Sequence, residues 1–192
     1  MGRAQTHDAI GDALRRATAA LREGDVAFML GGSVACWARG GPRTQNDLDL
    51  FVPPDEAEKA LAVLERAGMR TERPPEEWLY KAYHGDVMID VIFDAIGLPP
   101  ITRGLVQQAE ILPVLAIRMP VISIEDVLAG KLLALSEQRL DYTPVVEIAR
   151  ALRERIDWDS LRERTAASPY ARAFFALVHE LDVLPDAEPS RP

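Results

Sequence analysis

The sequence predicts an α/β fold of the α+β kind: a small mixed β-sheet flanked by helices, followed by a helical C-terminal half. Three observations predict it. Short apolar runs bounded by glycine or proline alternate with helical stripes up to about residue 122. One run, Asp47-Leu48-Asp49-Leu50-Phe51-Val52, alternates with period two, the mark of a strand with one buried and one acidic face. After Ser123 the strand signals stop and only helical patterns remain. A chain of 192 residues can bury roughly 70% of its unfolded surface, so its core needs no covalent staples.

The elements follow in order. Residues 6–22 place Ile10, Leu14 and Leu21 on one helical stripe, and Gly24 stops it. Val26-Ala27-Phe28-Met29-Leu30 reads as a buried strand. Gly31-Gly32 breaks it, and Ser33 is placed to cap a short helix through Trp37. A polar loop, residues 39–43, leads to the acidic strand. Pro53-Pro54-Asp55 opens a helix with stripe Ala57, Leu61 and Leu64, ended near Gly68. Residues 77–93 read as a hairpin turning at His84-Gly85-Asp86. Residues 96–121, punctuated by proline, predict a short helix and one or two strands. Ser123-x-x-Asp126 resembles a capping box, with Asp in place of Glu or Gln, before a helix carrying Val127, Leu128, Leu132 and Leu135. Helical patterns follow at about 143–154, 157–165 and 168–181. The expected organisation is an α/β core over 1–122, a helical subdomain over 123–182 and a flexible, proline-rich acidic tail over 183–192.

Composition narrows the function. The chain has 22 basic and 30 acidic residues, a formal charge of −8, which argues against coating nucleic acid through an overall positive field. It leaves room for a local basic cleft. The single cysteine, Cys36, excludes an intramolecular disulfide framework and an all-cysteine metal site. With no long apolar run, the expectation is a soluble cytoplasmic protein with no membrane span.

The informative feature is Gly31-Gly32-Ser33 followed, after a thirteen-residue spacer, by Asp47-Leu48-Asp49. Residues i and i+2 of a strand share a face, with Cα atoms about 6.5–7 Å apart. Two carboxylates so placed repel unless a cation or water separates them. Leu48 and Leu50 on the other face tie this strand to a core. Carboxylates converging from a fixed sheet suit a hard cation such as Mg²⁺, which shares its ligation with substrate phosphates. The glycine pair is the complement: a strand ending at a helix start presents backbone N–H groups to an anion with no side chain in the way, and Ser33 adds a hydroxyl. Alone, either half is most often an ordinary turn or a solvated strand. Together, flanked by apolar runs, they indicate one nucleotide site.

Residues 28–52, FMLGGSVACWARGGPRTQNDLDLFV, resemble the signature of the DNA polymerase beta-like nucleotidyltransferase superfamily. Residues 131–152, KLLALSEQRLDYTPVVEIARAL, resemble the second motif of its AbiEii/MenT-type toxin members. The two stretches cover about a quarter of the chain. The resemblance implies an Mg²⁺- or Mn²⁺-dependent enzyme that moves an NMP from an NTP to an acceptor hydroxyl and releases pyrophosphate. It implies Asp47 and Asp49 as metal ligands, Gly31, Gly32 and Ser33 at the nucleotide phosphates, Lys131 neutralising the triphosphate, and Asp141 orienting a nucleotide-facing group. The acceptor it implies is a tRNA 3′ end, with a cognate antitoxin as protein partner. A protein or antibiotic hydroxyl is the alternative acceptor, and a silent nucleotide-binding regulator the alternative without catalysis. The chain departs from the pattern at Gln45, where Ser or Thr is common, and at Pro144, after Arg139-Leu140-Asp141.

Many members take a third carboxylate from a neighbouring strand. Asp86, Asp90 and Asp94 share a face of the second hairpin arm at period four. Asp90, flanked by Ile89 and Val91, is the candidate third ligand and the candidate base for the incoming hydroxyl. Arg39 and Arg43, in the loop between the two halves of the signature, are candidates to reach phosphate. His7, His84 and His179 lack zinc spacing and read as surface residues. Cys36, beside Trp37, reads as a core thiol. The arginines between 150 and 164, interleaved with Glu154 and Glu163, read as a solvated, salt-bridged face, with an RNA-facing edge as the alternative.

Overall fold

A computed structural model describes residues 7–42 and 47–184. Arg43, Gln45 and the tail beyond residue 184 lie outside the described residues, and so do the expectations placed on them. The first element, α1 (His7–Glu23), buries Ile10, Leu14, Ala17 and Leu21 along the predicted stripe. The strand expected over Val26–Leu30 shrinks to β1 (Met29–Leu30). The reason is where the preceding donors go. The Val26 N–H bonds back to the Leu21 carbonyl of α1, and the Ala27 N–H donates to Glu56 Oε2 at 2.9 Å, so neither joins a ladder.

Ten-residue α3 (Ala57–Arg66) follows a 3₁₀ turn over Pro54–Glu56. Glu56 is a buried carboxylate held from two sides: it accepts the Ala27 N–H and pairs with Arg103, which also reaches Asp25. That arrangement satisfies a charge that burial alone would make costly.

The sheet among the described residues has seven strands in the order β3-β4-β5-β2-β1-β7-β6. They are β1, β2 (Leu48–Phe51), β3 (Arg70–Glu72), β4 (Leu79–His84), β5 (Val87–Ile92), β6 (Glu110–Val114) and β7 (Ile117–Val121). The edge strand β3 has too short a run to be read from the sequence. The predicted hairpin is β4–β5, antiparallel and turning at Gly85-Asp86. β2 lies between β1, antiparallel, and β5, parallel, in a register that sets Asp49 beside Asp90. Leu48 and Leu50 are fully buried, as period-two alternation requires. The mixed sheet and its helices confirm the fold class.

Short α2 (Gly32–Ala38) leaves β1 at Gly31, and α4 (Arg103–Gln108) precedes the β6–β7 hairpin. The C-terminal half is helical: α5 (Ile124–Leu133), α6 (Thr143–Leu152), α7 (Trp158–Thr165) and α8 (Pro169–Glu180). Ser123 caps α5 as predicted, its Oγ accepting the Asp126 N–H at 3.0 Å. α5 packs against α2, α6, α7 and α8. One buried apolar cluster runs from Ile10 to Val183 through both halves. Among the described residues no helix is long and apolar enough to cross a membrane.

Candidate active site

The β1–α2 turn and β2 touch through two glycines, each for its own reason. The Gly31 N–H donates to the Asp49 carbonyl at 2.8 Å, and a Cβ on Gly31 would overlap the Phe51 ring. Gly32 adopts φ +59, the left-handed region, and a Cβ there would overlap the Asp49 carboxylate. Glycine at both positions therefore lets the start of α2 close down on the acidic strand. The cap is Gly31, with no side-chain hydrogen bond. Ser33, expected to cap, sits instead within the first turn of α2.

Asp49 lies largely out of water. Burial, with Asp90 alongside, pushes its carboxyl up to about 7, while Lys131 pulls the other way. Asp47, just before β2, adds to the rise and bears on Asp90 as well. Asp90 is also raised by burial, against the pull of Lys81. The Lys81 Nζ donates to Asp90 Oδ1 at 3.1 Å from the opposite position on β4, and the two side chains are 23% and 18% exposed. Charges thus run across the sheet as Lys81, Asp90, Asp49 and then Lys131 on α5.

Asp49 and Lys131 border a cavity of about 640 Å³, a size common for small-molecule sites, with Asp90 and Lys81 beside Asp49 on the sheet and outside the lining. Gly32, Asp49 and Phe51 form its floor; Lys131 and Arg139 bring positive charge; Trp78, Asp94 and Ile96 form the opposite wall. Trp78 is 44% exposed, and its carbonyl accepts the N–H groups of Phe93 and Asp94, which fixes Asp94 at the cavity. Arg164 of α7 bonds both the Gly97 carbonyl and Asp126, and so fastens the wall to α5.

Residues 10–183 match the model of the family described as uncharacterised nucleotidyltransferase. The chain belongs to this family. The nucleotidyltransferase also shares its fold with ANT(2″)-Ia, solved with adenylyl-2″-tobramycin, at 19% identity and TM-score 0.66 over 85% of this chain and 98% of that one. LnuA, a lincosamide antibiotic adenylyltransferase solved with lincomycin bound, aligns at 16% identity and TM-score 0.52, covering 76% and 96%. JHP933 from Helicobacter pylori aligns at 15% identity and TM-score 0.53, covering 93% and 81%. No curated protein matches the sequence. The comparisons reach the nucleotidyltransferase level and do not single out the AbiEii/MenT-type branch.

The structure brings Gly32, Asp49 and Lys131 to one cavity, with Gly31 and Asp90 directly behind and Asp47 within electrostatic reach. Ser33, in the first turn of α2, is not part of the cavity lining, and two further candidates stand elsewhere. Arg39 binds Glu110 at 3.1 Å and the Val121 carbonyl, and lines other cavities. Asp141 is exposed: it accepts the Thr143 N–H at 2.9 Å, which lowers its pKa, and so secures the start of α6. From that motif it is Arg139 that lines the cavity. Asp94, which shares a face with Asp90 in the sequence pattern, also lines it, whereas Asp86 stays in the hairpin turn. Lys81 and Trp78 carry no sequence signal, because only the hairpin register delivers them to the site. Cys36 is buried, and desolvation raises its pKa to about 11, as fits a core thiol.

The donor set suits a hard divalent cation, since added positive charge is what returns a buried, raised Asp49 to its anionic form. Among the described residues no group of three His, Cys, Asp or Glu side chains is gathered closely enough to hold an ion, and Asp90 points an oxygen at Lys81 instead.

Proposed function

We propose that this nucleotidyltransferase moves an NMP from an NTP to the hydroxyl of a small-molecule acceptor, with Mg²⁺ or Mn²⁺ at Asp47 and Asp49. One observation carries the reading. Asp49, against Gly32, lines a cavity that also holds Lys131 and Arg139, and Asp90 stands beside it in register on the next strand. The acceptor oxygen bonds to the α-phosphorus. The bond from that phosphorus to the bridging oxygen breaks, and pyrophosphate leaves with the electron pair.

Asp90 takes the proton of the acceptor hydroxyl; the Lys81 ion pair holds it in place for that role. Lys131 and Arg139 bind the triphosphate. Gly32 brings backbone close to it with no side chain between. Asp47 and Asp49 hold the cation, whose chemistry when bound is to neutralise charge on the phosphates and leaving group.

A small acceptor is supported by the cavity size and by the two antibiotic adenylyltransferases among the structural relatives. Asp94 in the lining favours an acceptor that carries an amino group. The competing acceptor is the tRNA 3′ end implied by the AbiEii/MenT resemblance. The test is incubation with each α-³²P NTP and, separately, an aminoglycoside panel, a lincosamide, total tRNA and cell protein. Label on a small molecule, absent with Asp49→Ala, is the expected result. Label on tRNA or protein alone overturns the small-acceptor reading, and wild-type labelling by Asp49→Ala overturns the mechanism.

A further inference from the structure

Three cavities meet around the N-terminus of α5. The catalytic cavity and a second of about 330 Å³ share Ile122 and Asp126 as lining. The second shares Arg39, Glu110 and Ser123 with a third, of about 260 Å³, which adds Glu125 and Arg155.

Arg39, at the C-terminal end of α2, has a side chain only 8% exposed. Its Nη2 is engaged by Glu110 and the Val121 carbonyl, but its Nη1 is buried with no hydrogen-bond partner. A guanidinium offers five donors, and an unmet one out of water is costly enough to mark a place where something binds. Arg155 donates through Nη1 to the Arg39 carbonyl at 2.5 Å, which sets a second guanidinium in the same cavity. Burial lowers the Arg39 pKa, and Arg155 adds to that while Glu110 and Glu125 oppose it, so an anion on the unpartnered Nη1 would favour the charged guanidinium.

The acids nearby keep their charge and face Arg39 from sides other than its Nη1, which stays unmet. Glu125 accepts the Asp157 N–H at 2.9 Å, and Glu110 reaches Arg39 from the Nη2 side with a side chain 62% exposed. Ser123 Oγ accepts the Asp126 N–H, a bond that leaves its own O–H proton to donate.

We propose that Arg39, Arg155 and Ser123 form an oxyanion subsite, neighbouring the catalytic cavity across Ile122 and Asp126, that holds a phosphate group. The phosphate comes from one of two sources: the pyrophosphate released in the reaction, or a phosphate carried by the acceptor. Only the choice of source rests on the nucleotidyl-transfer reading; the binding does not.

Calorimetric titration of the full chain with pyrophosphate and with ribose 5-phosphate tests it. Lys131→Met weakens binding in the catalytic cavity and exposes the second site. The expected result is that this variant still binds at least one of the two probes, and that adding Arg155→Ala weakens that binding at least tenfold. Arg155 packs no core, so the second change leaves the fold intact, and thermal melting of both variants checks this. Tighter binding of pyrophosphate assigns the subsite to the product, and tighter binding of ribose 5-phosphate to the acceptor. Loss of all binding in Lys131→Met, or equal binding with and without Arg155→Ala, overturns the proposal. Failure of the nucleotidyl-transfer reading shows separately, as absence of labelled product from every acceptor.

Discussion

Replacing Asp49 with asparagine stabilises the protein above neutral pH while removing its activity. The carboxyl ordinarily titrates at 3.8; in the folded chain burial and the neighbouring Asp90 raise it to about 7. The native protein therefore keeps a proton across that window after the unfolded chain has released it. The contribution of Asp49 to stability is complete below 3.8 and is lost as pH rises through about 7. At about 1.4 kcal/mol per pH unit, the full penalty is on the order of 4 kcal/mol, with more than half of it developing between pH 5 and pH 8. Urea melts in EDTA at those two pH values measure it. Wild type loses roughly 2–3 kcal/mol more than Asp49→Asn over this interval, because asparagine has no charge to bury. Mg²⁺ added at pH 8 restores stability to wild type and much less to the variant, since an ion bound only by the native state stabilises it. Parallel pH profiles for the two proteins refute the reasoning, for they would mean that Asp49 ionises as freely folded as unfolded.

Other substitutions probe separate links. Gly32→Ala puts a methyl into the Asp49 carboxylate at a left-handed backbone position, so kcat/KM falls by roughly a hundredfold or more while circular dichroism stays native. Lys81→Met frees Asp90 from its partner; kcat falls with little change in the KM for NTP, and the acid limb of the kcat profile moves to higher pH, because Lys81 is the main influence lowering the Asp90 pKa. Ser123→Ala removes the cap of α5 and lowers stability by about 1 kcal/mol, read by thermal melting. Glu56→Gln weakens the clasp on Ala27 and Arg103 and costs roughly 2 kcal/mol in the same assay.

Much of this molecule is legible in its residue order, and the parts that are not have physical causes. The helices of the second half fall within a residue or two of their expected bounds, because apolar stripes and caps at Ser123, Asp157 and Ser168 are local signals. The strand before Gly31 came out shorter because a side chain 29 residues away, Glu56, takes the Ala27 donor. Asp47, Asp49 and Asp90 were findable from alternation on two strands. That Asp49 and Asp90 are directly adjacent follows from parallel pairing of β2 with β5, which no local pattern encodes. Lys81 enters by the same route, one strand further. Arg39 shows the opposite failure: a loop arginine close in sequence to the motif is carried away from it by α2, whose far end faces β6 and β7.

The glycine pair and the acidic pair are best understood as one packed unit rather than as a flexible loop near a charged strand. Gly31 is required by the Phe51 ring, Gly32 by the Asp49 carboxylate, and the Gly31 N–H is bonded to the Asp49 carbonyl. Each glycine is thus matched to a different residue of β2, and any side chain at either would lift α2 off the strand. That close approach is also what desolvates Asp49. The same geometry that opens backbone to a phosphate makes the carboxyl reluctant to ionise alone, so the site is completed by cations rather than by rearrangement: Lys131 from α5, Lys81 behind Asp90, and the divalent ion proposed for Asp47 and Asp49. The chain's net charge of −8 therefore says little about its affinity for phosphates, because the acids that matter are placed where positive charge gathers.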